Sequence, residues 1–308
     1  MRRWFLLLVC LLTACTSATL ATPTPSAPTR PAPPVLGGFD PATVADIALD
    51  DYAIIPEIGA QAKAIYQAGI AAGNNPRVFS KLGDCMTENP NFLAPFSAGQ
   101  YELGEYASLQ TVIEQFAGTP ARAGQGWTDD SFATVGFAAA SGFNIAGPLD
   151  PIWANPKWCT AGESPLACEY RVAKPSLAII MFGTNDVTYT NADTYNFYLR
   201  TLVATTLDHN ILPLLNTFPT RPEDPAKSLL LNQIVVKVAL DYGVPLVNLN
   251  RALEPLPHHG VDPADTIHLN VPPSARTDVF TTENLHYGFP MRNLVTLQTL
   301  EAVLDGVK

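Results

Sequence analysis

The sequence predicts an α/β fold, a three-layer α/β/α sandwich with a central parallel sheet of the flavodoxin-like kind. Three observations predict it. Strand-length apolar runs alternate with helix-length segments from residue 57 to the end of the chain. The clearest run, Leu177 to Phe182, is apolar throughout, as expected of a strand covered by helices on both faces. Strand, helix and strand in succession imply right-handed crossovers and hence parallel pairing.

Glu57 to Ala72 has helical apolar spacing and ends in Gly73-Asn74-Asn75, a C-terminal stop. Val78 to Leu82 is then a short strand running into Gly83-Asp84-Cys85. Tyr101 to Phe116 reads as a helix closed by Gly118, and Phe132 to Ala140 as a buried strand. The strand at Leu177 to Phe182 delivers Gly183-Thr184-Asn185-Asp186. A helix from about Asp193 to Asp208, a strand from Ile211 to Asn216, a helix from Ala226 to Tyr242, a strand from Pro245 to Leu249 and a last helix from about Arg292 to Val307 complete the alternation. In such sheets ligands bind beyond the carboxyl ends of the strands, which is where Cys85 and Asn185 fall.

The first residues concern location. Arg2 and Arg3 precede an apolar run from Trp4 to Leu12, too short for a permanent membrane span, and Leu12-Thr13-Ala14-Cys15 follows. The arrangement resembles a bacterial lipoprotein signal over residues 1–14, with Cys15 as the lipidated first residue of the mature chain; an ordinary secretory signal cut slightly later is the alternative. Acyl chains on Cys15 would add about 0.8 kcal/mol per buried methylene and hold the protein on the extracytoplasmic face of a bacterial membrane. Residues 15–37 carry Pro23, Pro25, Pro28, Pro31, Pro33 and Pro34 among Thr, Ser and Ala, a composition that makes an extended stalk. Residues 38–308 are expected to form one domain.

The chain has 18 basic and 28 acidic side chains. Arg2, Arg3 and Arg30 stand before Phe39 with no acid, so the remaining 270 residues carry 15 basic against 28 acidic groups, a formal charge of −13. Such a balance repels phosphate backbones and argues against nucleic acid as a partner. No glycine-rich phosphate loop signals a nucleotide or flavin, and no cofactor is expected. His258-His259 with Asp262 lacks a well-spaced third ligand, so no metal site is expected either. With Cys15 committed to lipid, Cys85, Cys159 and Cys168 remain in an oxidising compartment. Cys159 and Cys168 flank a Gly- and Pro-containing reversal and are expected to pair, stabilising by roughly 2 to 3 kcal/mol and leaving Cys85 a free thiol.

Three separated blocks carry the chemistry: Gly83-Asp84-Cys85-Met86-Thr87, Gly183-Thr184-Asn185-Asp186 and Asp265-Thr266-Ile267-His268. A nucleophile, an amide donor, and a base with its carboxylate are what acyl transfer needs. Asp265 can face the same crevice as His268 if the chain between them makes one helical turn. In order and spacing the blocks resemble the GDSL/SGNH hydrolases over nearly the whole domain. The resemblance implies that Cys85 stands at the nucleophile position, where the family has serine, with His268 as base and Asp265 as its orienting carboxylate. It further implies an oxyanion hole from the Cys85 N–H, the Asn185 amide and a glycine N–H of a second block, Ala139-Ala140-Ser141-Gly142-Phe143-Asn144. Gly142 is chosen there, although an alignment can also place Ala139 at that position. Asp84 and Asp186 are supporting residues. An imidazolium beside Cys85 would lower the thiol pKa and form a reactive ion pair. The implied substrate is an acylated small molecule, lipid or glycan; a protein that only binds carbohydrate or lipid in the same crevice is the alternative.

Overall fold

Four parallel strands, β1 (Asn75–Gly83), β2 (Pro175–Met181), β3 (Leu212–Asn216) and β4 (Leu246–Val247), lie in the order β1-β2-β3-β4 in the computed structural model. It describes residues 31–122, 124 and 126–308; the signal-like segment, Cys15 and the stalk up to Arg30 lie outside the described residues. All seven residues of β2 and all five of β3 are buried, which accounts for their mainly apolar sequence; the polar exceptions, Ser176 and Asn216, donate to the Val78 and Ile180 carbonyls. Beyond the free edge of β1 the chain makes one more parallel contact, a bridge between Ala139 and Gly83. The connection after β1 thus goes outward to this edge and then returns to β2 on the other side, so the order reverses at β1. Its carboxyl end is the place where an open α/β sheet forms its crevice.

The helices are α1 (Ala60–Ala71), α2 (Cys85–Glu88), α3 (Ala94–Ser97), α4 (Gln110–Phe116), α5 (Pro165–Ala173), α6 (Asp186–Tyr189), α7 (Ala192–Asp208), α8 (Pro225–Tyr242), α9 (Leu249–Leu253) and α10 (Gly288–Val307). Helices α1, α4 and α10 pack together on one face of the sheet, and α5, α7 and α8 lie against the other, giving the three layers. Their ends follow local chemistry. Asp224 caps α8 by accepting from the Lys227 N–H at 3.0 Å, with Pro225 at its first position, and Gly243 in a left-handed conformation closes it. Asn191 caps α7 through the Thr194 N–H at 2.8 Å.

Several expectations change. Phe132–Ala140 forms no strand apart from the Ala139 bridge. Its N–H groups are claimed by side chains instead of a ladder: Asp130 accepts from Phe132 and Ala133, and Glu169 accepts from Phe137. The helix expected over Tyr101–Phe116 is a 3-10 segment, Gly104–Leu109, followed by α4, because Glu102 is occupied in a bridge to the chain at Asp278 and Phe280. The last four residues of the stretch from Cys159 to Cys168 belong to α5, started by Pro165 and capped by Ser164. The Cys159–Cys168 disulfide forms, and Cys85 is a free, buried cysteine. Residues Asp265–His268 make no helical turn; they lie on β6 (Asp265–Leu269), antiparallel to β5 (Val261–Asp262). The last helix begins at Gly288, one turn before Arg292, with Pro290 tolerated in its first turn.

Candidate active site

Cys85 is the first residue of α2, at the end of β1, with Asp84 as the N-cap accepting from the Met86 N–H at 3.1 Å. The turn is tight. A Cβ at Gly83 would come within 2.2 Å of Thr87 Oγ1 and 2.5 Å of the Met181 carbonyl, so only glycine lets β1 bend into α2 beside β2. Cys85 is 9 % exposed. Its thiol is pushed up to about 12, first by burial and then by the Asp84 carboxylate beside it. The lowered pKa expected of an ion pair is therefore not found, because desolvation and a neighbouring negative charge both disfavour the thiolate.

His268 Nδ1 lies 2.7 Å from Asp265 Oδ2, and this bond is the main cause of the lowered Asp265 pKa. The strand places the two residues on one side because the β5–β6 pairing is irregular between Val261 and Asp262. His268 and Cys85 both line a cavity of about 460 Å³ at the carboxyl end of β1, together with Lys81, Glu88 and Ser141. Among the described residues the imidazole has Asp265, not Cys85, as its hydrogen-bond partner. A base and nucleophile that share a cavity commonly tighten their contact only when substrate is present.

The loop after β2 turns at Gly183, whose φ of 141° and whose Cβ position, 2.0 Å from Phe218 Cε1, exclude any side chain. Asn185 follows, 7 % exposed, and donates from Nδ2 to the Phe143 carbonyl at 2.9 Å. Asp186, the first residue of α6, accepts from the Ile145 N–H at 3.1 Å. These bonds bring the Ala139–Asn144 segment and the Gly183–Asp186 block together. Gly142 is exposed, directly after Ser141, whose N–H donates to Glu88. Ala139 differs: its N–H is committed to the Gly136 carbonyl at 3.0 Å.

Residues that the sequence did not single out hold the blocks in place. Arg292, buried on α10, donates from its guanidinium to the Met86 carbonyl at 2.7 Å and to Thr87 Oγ1 at 2.9 Å, and stacks 3.6 Å over the Phe92 ring. It thereby anchors the nucleophile turn to the last helix. Thr266 donates to Glu223, Glu223 pairs with Arg221, and Arg221 Nη1 donates to the Thr184 carbonyl at 3.0 Å, which links the Asp265–His268 strand to the Gly183–Asp186 block. No spacing in the sequence marks these groups, since apart from the Arg221–Glu223 pair they act across more than 30 residues.

Two buried carboxylates lie behind the site. Asp84 and Asp186 are both raised to about 6, chiefly by burial; Arg292 opposes this at Asp84, and the Thr190 side chain opposes it at Asp186. A carboxyl whose folded pKa exceeds its ordinary 3.8 contributes stability at low pH that is lost as pH rises through the folded value. The unfolding free energy of wild type, less that of Asp84→Asn, should accordingly fall by up to about 3 kcal/mol from pH 4 to pH 7. Urea titrations at the two pH values measure it, and a constant difference would show that Asp84 titrates alike in both states.

Histidines and tryptophans outside these blocks take other positions. His209 caps α7, with Nδ1 2.9 Å from the Thr205 carbonyl. His258, His259 and Asp262 do not converge; among the described residues the grouping of potential metal ligands is Cys159, Glu163 and Cys168, whose sulfurs are joined in the disulfide. Trp127 and Trp158 pack edge-to-face on each other, whereas Trp153 is 62 % exposed and packs edge-to-face with Phe143. His286 ends a short 3-10 segment just before α10.

A sequence model of the GDSL-like lipase/acylhydrolase family matches residues 82–272, which span all the blocks described. A search of curated proteins gives no match. Among solved structures the chain is similar to a psychrotrophic esterase from Pseudoalteromonas sp., with 13 % identity, 74 % of this chain and 99 % of that one covered, and a TM-score of 0.46. It is also similar to a lipase/acylhydrolase from Enterococcus faecalis, at 16 % identity, 72 % and 94 % coverage and a TM-score of 0.45. An acetylxylan esterase from Geobacillus stearothermophilus shares 16 % identity over 74 % of this chain and 94 % of its own, with a TM-score of 0.44. Since the family match covers more than half of the chain, the protein belongs to the GDSL-like lipase/acylhydrolase family and is, by class, a hydrolase of ester bonds.

Proposed function

We propose that the protein hydrolyses ester or thioester bonds of acylated small molecules, lipids or glycans outside the cytoplasm, through a Cys85-His268-Asp265 triad. The observation that carries this reading is the Asp265–His268 bond at the mouth of a cavity that Cys85 also lines. Because the resting thiol is held protonated, attack proceeds by general base catalysis: His268 takes the thiol proton as sulfur bonds to the acyl carbon. Asp265 steadies the imidazolium so formed. The carbonyl oxygen becomes an oxyanion facing the Cys85 N–H, the Gly142 N–H and the second N–H of the Asn185 amide, the first being spent on Phe143. Collapse expels the alcohol, which receives the proton from His268, and water then cleaves the thioester by the same route. Ala139, with its N–H already bonded, is not the second-block donor. The lipoprotein-like signal with Cys15 supports a membrane-anchored, extracytoplasmic location.

The raised thiol pKa favours a second reading, in which the crevice binds an acylated glycan or lipid and chemistry is silenced at one atom. Hydrolysis of a short-chain chromogenic ester and its thioester analogue by wild type, Cys85→Ala and Cys85→Ser separates the two. Turnover in wild type that alanine removes supports the cysteine triad. Turnover that appears only with serine supports the binding role.

A further inference from the structure

Lys81 sits four residues before Cys85 on β1 and is 2 % exposed. An ammonium offers three donors, yet its hydrogen bond among the described residues is a single one, to the Phe132 carbonyl at 2.8 Å. The Phe92 ring lies 5.7 Å away. The acids whose charges act on Lys81 are committed elsewhere: Asp130 accepts from the backbone at Gly118, Phe132 and Ala133, and Glu169 accepts from Ser80, Arg122 and Phe137. Lys81 has no carboxylate within ion-pair distance among the described residues, and burial together with Arg292 pulls it down to about 7. A lone carbonyl does not require a cation; a neutral donor would satisfy it at lower desolvation cost. What distinguishes Lys81 is that it lines the cavity shared by Cys85 and His268, whose other walls include Ala94 and Val135. Glu88 lines the same cavity, but its carboxylate is held by the Ser141 N–H.

We propose that Lys81 is a specificity residue that receives a carboxylate at the far end of a short acyl chain, so that the preferred substrates are half-esters of dicarboxylic acids. The apolar walls would take the methylenes, and the carboxylate would supply the acceptors that the ammonium lacks. The inference rests on the proposed hydrolysis of esters at this cavity. A buried cation is also what an anionic substrate needs to enter a chain of formal net charge −10.

The test compares the 4-nitrophenyl half-ester of glutarate with 4-nitrophenyl pentanoate, equal in chain length and leaving group. Wild type is expected to favour the anionic ester by about tenfold or more in kcat/KM, a ratio that falls to about one or below in Lys81→Met and is partly kept in Lys81→Arg. A ratio of one in wild type, or an unchanged ratio in Lys81→Met, overturns the proposal; a folding defect would lower both rates and leave the ratio intact. If neither ester is hydrolysed, the catalytic reading fails by itself. Calorimetric titration of Cys85→Ala, with and without Lys81→Met, using monomethyl glutarate and methyl pentanoate, then decides. An affinity about tenfold higher for the glutarate, lost with Lys81→Met, supports the site, whereas equal or undetectable affinity for both ligands rejects it.

Discussion

Alanine at Cys85, at His268 or at both is expected to lower ester kcat by one common factor, on the order of 10⁴ or more, with the double variant no worse than either single one. The reason lies in the protonation state of the site. With the thiol pushed up to about 12, almost no thiolate exists near neutrality, so the sulfur cannot attack without a base. His268 without Cys85 has no proton to remove, and Cys85 without His268 keeps its proton. Each removal therefore abolishes the same step. A preformed thiolate would behave differently: the His268 variant would retain reactivity rising with pH, and the losses would separate. Asp265→Asn should cost less, on the order of 10²-fold, because this carboxylate is half exposed and water screens its pairing with the ring. Steady-state kinetics on a chromogenic ester across the four variants measure these factors, and losses that multiply in the double variant would mean that Cys85 and His268 do not act as a unit.

How much of this was legible in the sequence differs by element. Runs buried on both faces, such as Leu177–Phe182, announce themselves by composition, and the helix that ends just before Gly73 by its spacing and stop signal. Gly83 and Gly183 stood out as motif glycines, but the reasons for them, Thr87 with the Met181 carbonyl in one case and Phe218 in the other, are contacts between distant segments. The segment 132–140 misled because Phe132, Ala138 and Ala139 are buried as in a strand, while its backbone is satisfied in part by Asp130 and Glu169. Sequence patterns report burial more directly than they report where N–H groups go. The same limit explains the thiol. Adjacent Asp84 was visible, but the larger cause of the raised Cys85 pKa is burial, which depends on segments distant in sequence that pack around the turn, β6 among them.

The wall of the cavity depends on one buried ion pair, and Glu169→Ala is expected to destabilise the fold by about 3 to 5 kcal/mol. Glu169 on α5 is 1 % exposed and pairs with Arg122 at 2.9 Å, accepts from Ser80 Oγ at 2.6 Å and from the Phe137 N–H at 2.9 Å. Arg122 is equally buried, sandwiched with its guanidinium carbon 4.3 Å from the Trp127 ring centre and 3.8 Å from that of Phe137. Removing the carboxylate leaves a fully buried guanidinium with no counter-charge, along with an unsatisfied hydroxyl and N–H. The aromatic faces soften this cost without replacing an acceptor. Replacing both partners by apolar residues, Arg122→Met with Glu169→Leu, should recover much of the loss, since the charge is then removed together with its partner. Urea unfolding of the two variants separates this from simple cavity formation, which would make the double variant the less stable. The effect extends to function, because the segment tied down by Glu169 contains Ala133 and Val135, which line the cavity beside Cys85. Loosening it should therefore raise KM for a short-chain ester at temperatures where the protein is still folded, a change that acts on the pocket wall while the Asp265–His268 bond on β6 stays intact.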